Sequence, residues 1–388
     1  SATLLSCYKE DYPESLGLTK DEFLSLGRVN PDNENEGFGM TPLALRMCRS
    51  ANGVSEKHGE VSRELWLEMF EGAEVKDVPI SFVTNGVHAP TWIAPTLKSL
   101  YEKHIGADWI EVLKDEEVWS KAIEKISDAE IWESHLLLKN QLIAFIRQRT
   151  FAKETGSHDT INERKNVKDL FNPNVLTIGF ARRVAAYKRW NLLLSDIERL
   201  YKMIDDANRP VQFVFAGKAH PQDRTAKFLL QKLMLQNGTS TWQNRAVFIE
   251  DYDHEVARYL VQGVDVWMNV PRRPLEASGT SGQKVAMNGG LNFSILDGWW
   301  IEGYDGVNGF SIGVLRDEEG VDDATIDAQD AESLYTVLEN EIIPTFYKEG
   351  ENGLPTEWIA RMRRALQTLT PQFSSDRMLK DYIEKIYC

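Results

Sequence analysis

The feature that most constrains the fold is an alternation of short apolar runs with helical segments in the second half of the chain. Between these runs, apolar residues recur with helical spacing in segments 190–206, 226–235 and 255–262. Such runs suit strands that are buried on both faces of a parallel sheet. The alternation therefore predicts a doubly wound α/β domain that binds its ligands at the carboxyl ends of the strands. The predicted strands are residues 175–180, 211–216, 246–249, 264–270 and 293–296.

The first half of the chain is rich in helical patterns and poor in strands. Residues 40–49, 60–70 and 119–149 read as helices, and the last is broken near Ser127-Asp128, where either residue would cap the second piece. Residues 78–83 are the one clear strand, which is too little for an independent sheet. We therefore expect this half to be the rear portion of a domain whose opening strands are absent.

These patterns divide the chain into two lobes. Residues 1–165 form a partial, helix-rich N-terminal lobe, and residues 166–388 form a complete Rossmann-like lobe with a helical tail. The polar stretch 153–174 reads as a mobile linker. Because the sequence opens on Ser1, directly in folded-looking sequence, we expect a fragment or a processed product.

Composition excludes several classes of protein. The net charge of −15 argues against a nucleic-acid or anionic-membrane surface, so an anionic substrate must meet a local basic cluster. No apolar run approaches the length that a membrane span needs, and no secretory signal is present. Three widely spaced cysteines without a CxxC pair fit a reducing, cytoplasmic compartment and offer no disulfide framework or thiolate zinc site.

A glycine-rich loop follows the predicted strand 264–270. Residues 273–289 read RPLEASGTSGQKVAMNG, and a strand, turn and helix here would direct backbone N–H groups at one anion. Lys284 lies in the first helical turn, where a cation gains nothing from the helix dipole. An anion site next to a lysine suggests an amine that forms a Schiff base with a phosphorylated aldehyde such as pyridoxal phosphate. The alternative is an ordinary turn followed by a solvated lysine.

Other polar residues follow the strand ends. The stretch 181–189, ARRVAAYKR, suggests a phosphate site at Arg182, Arg183 and Lys188, although a solvated basic patch is an equal alternative. Glu276 could accept hydrogen bonds from polyol hydroxyls or pair with Arg272 or Arg273. For five further residues we weigh a site role against packing or turn formation. They are Tyr252, Asn85, His88, and, with the structural role favoured, Lys218 and His220.

The sequence also lacks the motifs of several hydrolases. It has no HExxH, no Gly-x-Ser-x-Gly elbow and no cluster of metal ligands, so we predict no metal site and disfavour zinc hydrolases and serine esterases.

Taken together, these segments resemble the α-glucan (glycogen, starch or maltodextrin) phosphorylases, most of all the shorter bacterial and archaeal type. The likeness covers nearly the whole chain, and its motifs occur in order. They are NGVSEKHGEVSR at 52–63, TNGVHAPTW at 84–92, GFARRVAAYKR at 179–189, AGKAHP at 216–221, the loop at 273–289, and DGWWIEGY at 297–304 with Asn308-Gly309.

The resemblance implies an α/β fold of GT-B type and assigns roles residue by residue. Lys284 matches the lysine that holds pyridoxal phosphate, and Arg183 and Lys188 match the groups that hold the substrate phosphate. The remaining cofactor positions match Gly279, Thr280, Ser281, Arg182, Tyr252 and Trp92. The positions that contact the glucosyl ring match Glu276, Ser278, Gly279 and Asn85, with Tyr187 nearby.

The implied reaction is phosphorolysis of an α-1,4-glucan by inorganic phosphate, releasing glucose 1-phosphate with retention of configuration. In this family the cofactor phosphate relays a proton toward the glycosidic oxygen, and members are commonly homodimers. Two departures stand out: the His-containing loop that contacts the glucosyl group is missing, and Gln283 stands where shorter members usually have Met. The rivals are a GT-B sugar-nucleotide glycosyltransferase and a catalytically silent binding or scaffold subunit of the same fold.

Overall fold

The computed structural model describes residues 12–155, 170–219, 222–224, 227–228, 231, 244–315 and 320–387. The chain divides into two compact units. One comprises Ser1–Thr84 with Asp381–Cys388, and the other comprises Asn85–Lys380.

The first unit contains a small parallel sheet of two strands, β1 (Ala51–Gly53) and β2 (Ile80–Phe82). Ser55 caps the helix that packs on them by accepting a hydrogen bond from the N–H of His58. Strand β2 confirms the predicted strand, but β1 shows that the expectation of one strand was wrong. Its Ala-Asn-Gly sequence has little β-propensity, so the strand depends on its backbone pairing with β2 rather than on its own residues. The helices are α1 (Tyr12–Ser15), α2 (Lys20–Ser25), α3 (Met40–Met47) and α4 (Glu56–Leu65).

The second unit is built on a parallel sheet of six strands in the order β5-β4-β3-β6-β7-β8. All five predicted strands are confirmed with small shifts of their ends, whereas the edge strand β8 was not predicted. The strands are β3 (Leu176–Ala181), β4 (Val211–Ala216), β5 (Ala246–Ile249), β6 (Val266–Asn269), β7 (Leu291–Ile295) and β8 (Phe310–Ile312).

The strand order fixes where a ligand can bind. Chain order runs outward from β3 to β5 on one side and from β6 to β8 on the other, so the topology reverses between β3 and β6. The loops that leave neighbouring strands in opposite directions open a crevice at the carboxyl edge of such a sheet. The loops after β3 and β6 are the basic stretch and the glycine-rich loop of the sequence analysis.

Helices cover both faces of this sheet. Phe180 and Phe213 belong to one apolar core, while Val214 and Trp267 belong to another that includes Leu142 of the long helix. The helices are α5 (Ala89–Trp92), α6 (Pro95–His104), α7 (Trp109–Val112), α8 (Glu116–Glu124), α9 (Asp128–Thr155), α10 (Ile197–Asp205), α11 (His254–Gly263), α12 (Ser281–Ala286), α13 (Trp299–Gly303), α14 (Asp323–Val337), α15 (Ile343–Tyr347), α16 (Thr356–Gln372) and α17 (Ser375–Tyr382).

The break predicted near Ser127 is confirmed between α8 and α9. Ser127 Oγ accepts a hydrogen bond from the N–H of Glu130, and the Glu130 carboxylate accepts one from the N–H of Ser127. This reciprocal pair is a capping box, which explains why α9 begins where it does.

Some predictions fall on parts of the chain that the structure does not describe. The helix expected at 226–235 lies mostly outside the described residues, and so do residues 156–169 of the expected linker and His220. In the part that is described, no helix combines the length and the apolar character needed to cross a membrane.

Candidate active site

The basic stretch after β3 and the glycine-rich loop after β6 meet at one carboxylate. Glu276 is buried, and its Oε2 lies 2.7 Å from Nη2 of Arg182 and also accepts a hydrogen bond from Nζ of Lys188. Lys188 itself is buried, on a short 3-10 turn (Ala186–Lys188). The prediction of a purely solvated patch is therefore excluded for these two cations, and the alternative pairing of Glu276 with Arg272 is wrong. Arg272 instead pairs with Asp323 and Asp327 of the α14 helix.

Burial and mutual attraction set the charges of this cluster. Burial raises the pKa of Glu276, but attraction to Arg182 and Lys188 outweighs burial and holds this pKa below its ordinary value. Burial, and next the neighbouring charge of Arg182, lower the pKa of Lys188 to about 8, although Glu276 opposes the shift. An additional anion would stabilise the protonated Lys188, so the cluster suits a ligand with negative charge.

Two buried polar atoms beside this cluster have spare hydrogen-bonding capacity. Nη1 of Arg182 and Oγ of Ser278 have no hydrogen-bond partner among the residues that the structure describes. Buried polar groups are normally paired, and leaving one unpaired costs roughly 1–3 kcal/mol. A guanidinium N–H and a hydroxyl fit the oxygens of a phosphate or of a sugar, so these residues suit such a ligand.

Lys284 lies on α12, half-buried against an aromatic ring. Its Nζ is 4.0 Å from the centre of the Trp92 ring, and burial lowers the pKa of the amine. Asn288 fixes this pairing, since its amide donates hydrogen bonds to the carbonyl oxygens of both Trp92 and Lys284. The reading of Lys284 as a solvated surface residue is therefore wrong. The amine loses its proton more readily than a free lysine, as attack on an aldehyde requires.

The other predicted cofactor residues surround α12. Gly279 has φ +90°, a left-handed value that favours glycine, and precedes Thr280 at the helix start. The Thr280 hydroxyl does not cap the helix. Ser281 Oγ accepts a hydrogen bond from the indole of Trp267 at 3.0 Å, which ties the helix start to β6.

Asn85 lies beside the same helix. Its carbonyl oxygen accepts a hydrogen bond of 2.8 Å from the side-chain amide of Gln283. Gln283, which the sequence marked only as a departure from the family pattern, thus connects the segment carrying Asn85 to the segment carrying Lys284.

Three further predicted residues lie around the cations. Lys188 Nζ lies 4.5 Å from the centre of the Tyr187 ring, and burial raises the pKa of Tyr252 although the charge of Arg182 opposes the rise. Arg183 is exposed, and its charge helps to lower the pKa of Lys188. The structure therefore brings Arg182 and Lys188 together at Glu276 and leaves Arg183, the third predicted phosphate residue, exposed to solvent.

Two other candidates lie at the surface. His88 is exposed and its Nδ1 lies 2.7 Å from the Thr91 hydroxyl, which agrees with the turn interpretation. Lys218 is exposed. In the described ranges, no group of three or more His, Cys, Asp or Glu side chains is arranged to hold a metal ion.

Asp297, at the end of β7, is the main site residue that sequence reasoning did not single out. One of its carboxylate oxygens accepts the N–H of Glu276 and the other accepts the N–H of Gly298, both at 2.9 Å. Gly298 has φ +54°, and a Cβ there would lie 2.4 Å from the carbonyl oxygen of Ser278. Asp297 and Gly298 therefore fix the backbone that presents Glu276 and Ser278. A carboxylate directly after a strand was the signal available in the sequence.

The buried Asp297 gives a pH-dependent prediction. Burial raises its pKa from 3.8 to about 7, although hydrogen bonds from the N–H groups of Glu276 and Gly298 oppose the rise. Between these values the folded chain keeps a proton that the unfolded chain has lost, so this group's contribution to stability falls as the pH rises from about 4 to about 7. The total change is at most about 4 kcal/mol. We therefore expect the thermal midpoint of Asp297→Asn, measured relative to that of the wild type, to rise as the pH increases from 5 to 8.

The control for this experiment is Asp108→Asn, which makes the same chemical change at an exposed position. A difference in midpoint between wild type and Asp297→Asn that stays constant with pH would show that Asp297 is ionised throughout.

Comparison with known sequences identifies relatives of the chain. The sequence model described as carbohydrate phosphorylase matches residues 14–336. The chain is 44% identical over 375 residues to a glycogen phosphorylase of Aquifex aeolicus, in an alignment covering 96% of this chain and 52% of the relative. It is 42% identical over 386 residues to a maltodextrin phosphorylase of Thermococcus litoralis, covering 96% and 42% of the two chains.

A glycogen phosphorylase of Mycobacterium tuberculosis is 41% identical over 379 residues, again with 96% of this chain and 42% of the relative covered. The chain thus spans about half the length of the curated relatives that it matches.

Proposed function

The chain belongs to the carbohydrate phosphorylase family, and we propose that it carries the phosphate- and cofactor-binding machinery of an α-glucan phosphorylase. In this proposal inorganic phosphate cleaves the terminal α-1,4 linkage of a glucan and glucose 1-phosphate is released. The observation that carries the proposal is the convergence of Arg182 and Lys188 on Glu276, in the loop that leads directly to Lys284.

The chain's own residues divide the work between the two substrates. Arg183 and Lys188 bind the attacking phosphate and hold its negative charge beneath the sugar, where it stabilises the positive charge that develops as the glycosidic bond breaks. The sugar hydroxyls are bound by Glu276, Ser278, Gly279 and Asn85, with Tyr187 beside them. Asp297 fixes the backbone of the loop, so Glu276 and Ser278 are oriented before the substrate arrives.

The residues present fit pyridoxal phosphate. Lys284 would hold the cofactor through its amine, which burial makes easier to deprotonate, with Trp92 and Tyr252 as flat neighbours. The free Nη1 of Arg182 and the hydroxyls of Thr280 and Ser281 would bind the cofactor phosphate. When bound, the cofactor supplies a phosphate group that exchanges a proton with the substrate phosphate.

We also propose a fold type and a division of the chain into two lobes. We assign the GT-B type, with residues 1–165 as the partial N-terminal lobe and 166–388 as the lobe that binds the cofactor. The strand order of the six-stranded sheet, with its reversal between β3 and β6, supports the second assignment.

The test is an assay of this chain, supplied with pyridoxal phosphate, on maltodextrin. We expect glucose 1-phosphate to form only when inorganic phosphate is present. A sugar-nucleotide glycosyltransferase would instead require a nucleotide sugar and no lysine-bound cofactor. Cofactor binding without any release of glucose 1-phosphate would favour the silent subunit and contradict the proposed activity of this chain.

A further inference from the structure

Gln283 spans the gap between the helix that carries Lys284 and the segment that carries Asn85. Its side chain is fully buried, and its amide donates a hydrogen bond of 2.8 Å to the carbonyl oxygen of Asn85. Its own side-chain oxygen Oε1 has no hydrogen-bond partner among the residues that the structure describes. A buried amide that is satisfied on one side only stabilises a fold less than an apolar side chain of the same shape. The stability of the core therefore does not account for an amide at this position.

The peptide that Gln283 contacts is the one that joins Asn85 to Gly86. A peptide followed by glycine has unusual freedom of orientation, because glycine tolerates φ values of either sign. The carbonyl group of this peptide accepts from Gln283, whereas its N–H donates to the sulfur of Met378, a weak acceptor, at 3.2 Å. Gln283 is therefore the stronger of these two contacts. The Asn85 side chain branches from the same residue, so its direction depends on the orientation of this peptide.

Both ends of the hydrogen bond are attached to closely packed backbone. A Cβ on Gly282, next to Gln283, would lie 2.4 Å from Oδ1 of Asn292, so α12 lies tightly against β7. On the other side, a Cβ on Gly86 would lie 2.2 Å from the carbonyl oxygen of Ser374. The Gln283 amide therefore bridges two elements that have little room to shift.

We propose that Gln283 is a positioning residue for sugar recognition, because it holds the peptide that sets the direction of the Asn85 side chain. The inference rests on the proposed function, since the role of Asn85 in sugar binding comes from there. The same short segment ends at Trp92, whose carbonyl oxygen accepts a hydrogen bond from Asn288. Two side-chain amides at α12 thus hold the segment that contributes to both the sugar and the cofactor positions.

The experiment compares the Kd of glucose 1-phosphate with the Kd of inorganic phosphate, because the difference between them isolates the sugar contacts. Both are measured by calorimetry on the cofactor-loaded chain without glucan, so that no reaction occurs. Gln283→Met replaces the amide with an unbranched apolar side chain of similar length. We expect it to weaken binding of glucose 1-phosphate about 3- to 10-fold, the effect of one hydrogen bond, and to leave the Kd of inorganic phosphate unchanged.

Two further readouts separate positioning from a general structural role. The absorbance of the lysine-bound cofactor should be the same in Gln283→Met as in the wild type. The thermal midpoint should stay equal or rise, because the substitution removes a buried amide whose oxygen has no partner in the described part of the chain.

Asn85→Ala tests whether Gln283 acts through Asn85. It should weaken binding of glucose 1-phosphate by itself, and the double variant Gln283→Met/Asn85→Ala should show no loss beyond that of Asn85→Ala, as for two residues that form one unit. A matched control is Gln141→Met, which makes the same change at an exposed position of α9. It should change neither Kd nor the thermal midpoint.

Unchanged binding of glucose 1-phosphate in Gln283→Met would overturn the inference, and so would additive losses in the double variant. Equal weakening of both ligands, or a much lower thermal midpoint, would overturn it as well, because each would indicate a general structural role. A wild-type chain that binds neither ligand would contradict the proposed function itself, together with the inference that rests on it, which distinguishes the two failures.

Discussion

The Lys284→Ala variant is expected to lose covalently held pyridoxal phosphate and, with it, phosphorolytic activity by a factor on the order of 10³ or more. Alanine has no amine to bond the cofactor aldehyde, and no other lysine is placed against Trp92 in the described part of the chain. The measurement is the absorbance of lysine-bound cofactor, followed by borohydride reduction and mass spectrometry. In the wild type, the label should lie on the peptide that contains Lys284.

Lys284→Arg is the matched control for charge. It keeps a cation near the Trp92 ring but has no primary amine, so it too should lose the label and the activity. If the reduced label were on another lysine, or if either variant kept wild-type activity, the assignment of Lys284 would be wrong.

The parallel sheet was the part of the fold that the sequence predicted best. Val211–Ala216 and Ala246–Ile249 form strands at the predicted residues because runs dominated by apolar residues leave few alternatives to burial. The positions of the loops at the carboxyl edge follow from the same pattern. The short strands Ala51–Gly53 and Phe310–Ile312 were missed because each depends on a neighbouring strand more than on its own residues.

For the candidate site, the sequence indicated which residues to consider but not the contacts among them. Glu276 was expected to interact with ligand hydroxyls or with Arg272 or Arg273, close in sequence, whereas its partners Arg182 and Lys188 are about 90 residues away. That pairing follows from the neighbouring positions of β3 and β6, which no local pattern contains.

Residues that bind backbone atoms were harder still to predict. Asn288 holds Trp92 and Lys284 through main-chain carbonyl groups. Arg189, one of the basic residues after β3, donates to the carbonyl oxygens of Val270 and Pro271 and forms a buried ion pair with Asp330 of α14. A cationic stretch in a sequence does not distinguish such anchors from ligand-binding groups.

The second large effect is expected from Asp265, which joins α9 to the sheet at the edge opposite the candidate site. This carboxylate has no exposed surface and accepts hydrogen bonds from His135 Nε2 at 2.7 Å, Lys139 Nζ at 2.5 Å and the N–H of Thr177 at 2.6 Å. Burial raises the pKa of Asp265, but its partners outweigh burial and keep it below the ordinary value. Asp265→Asn should lower the free energy of unfolding by about 3–5 kcal/mol, because it leaves the Lys139 charge buried without a counter-ion.

Urea denaturation followed by circular dichroism measures this loss, and two companion variants locate its cause. Glu117→Gln breaks the exposed ion pair with Lys121 and should cost less than about 1 kcal/mol. The double variant Asp265→Asn/Lys139→Met removes the unpaired charge and should recover much of the stability that Asp265→Asn loses, since the methionine can pack against Phe346 as the lysine does. If the double variant were less stable than Asp265→Asn alone, the packing of Lys139 rather than its unpaired charge would account for the effect.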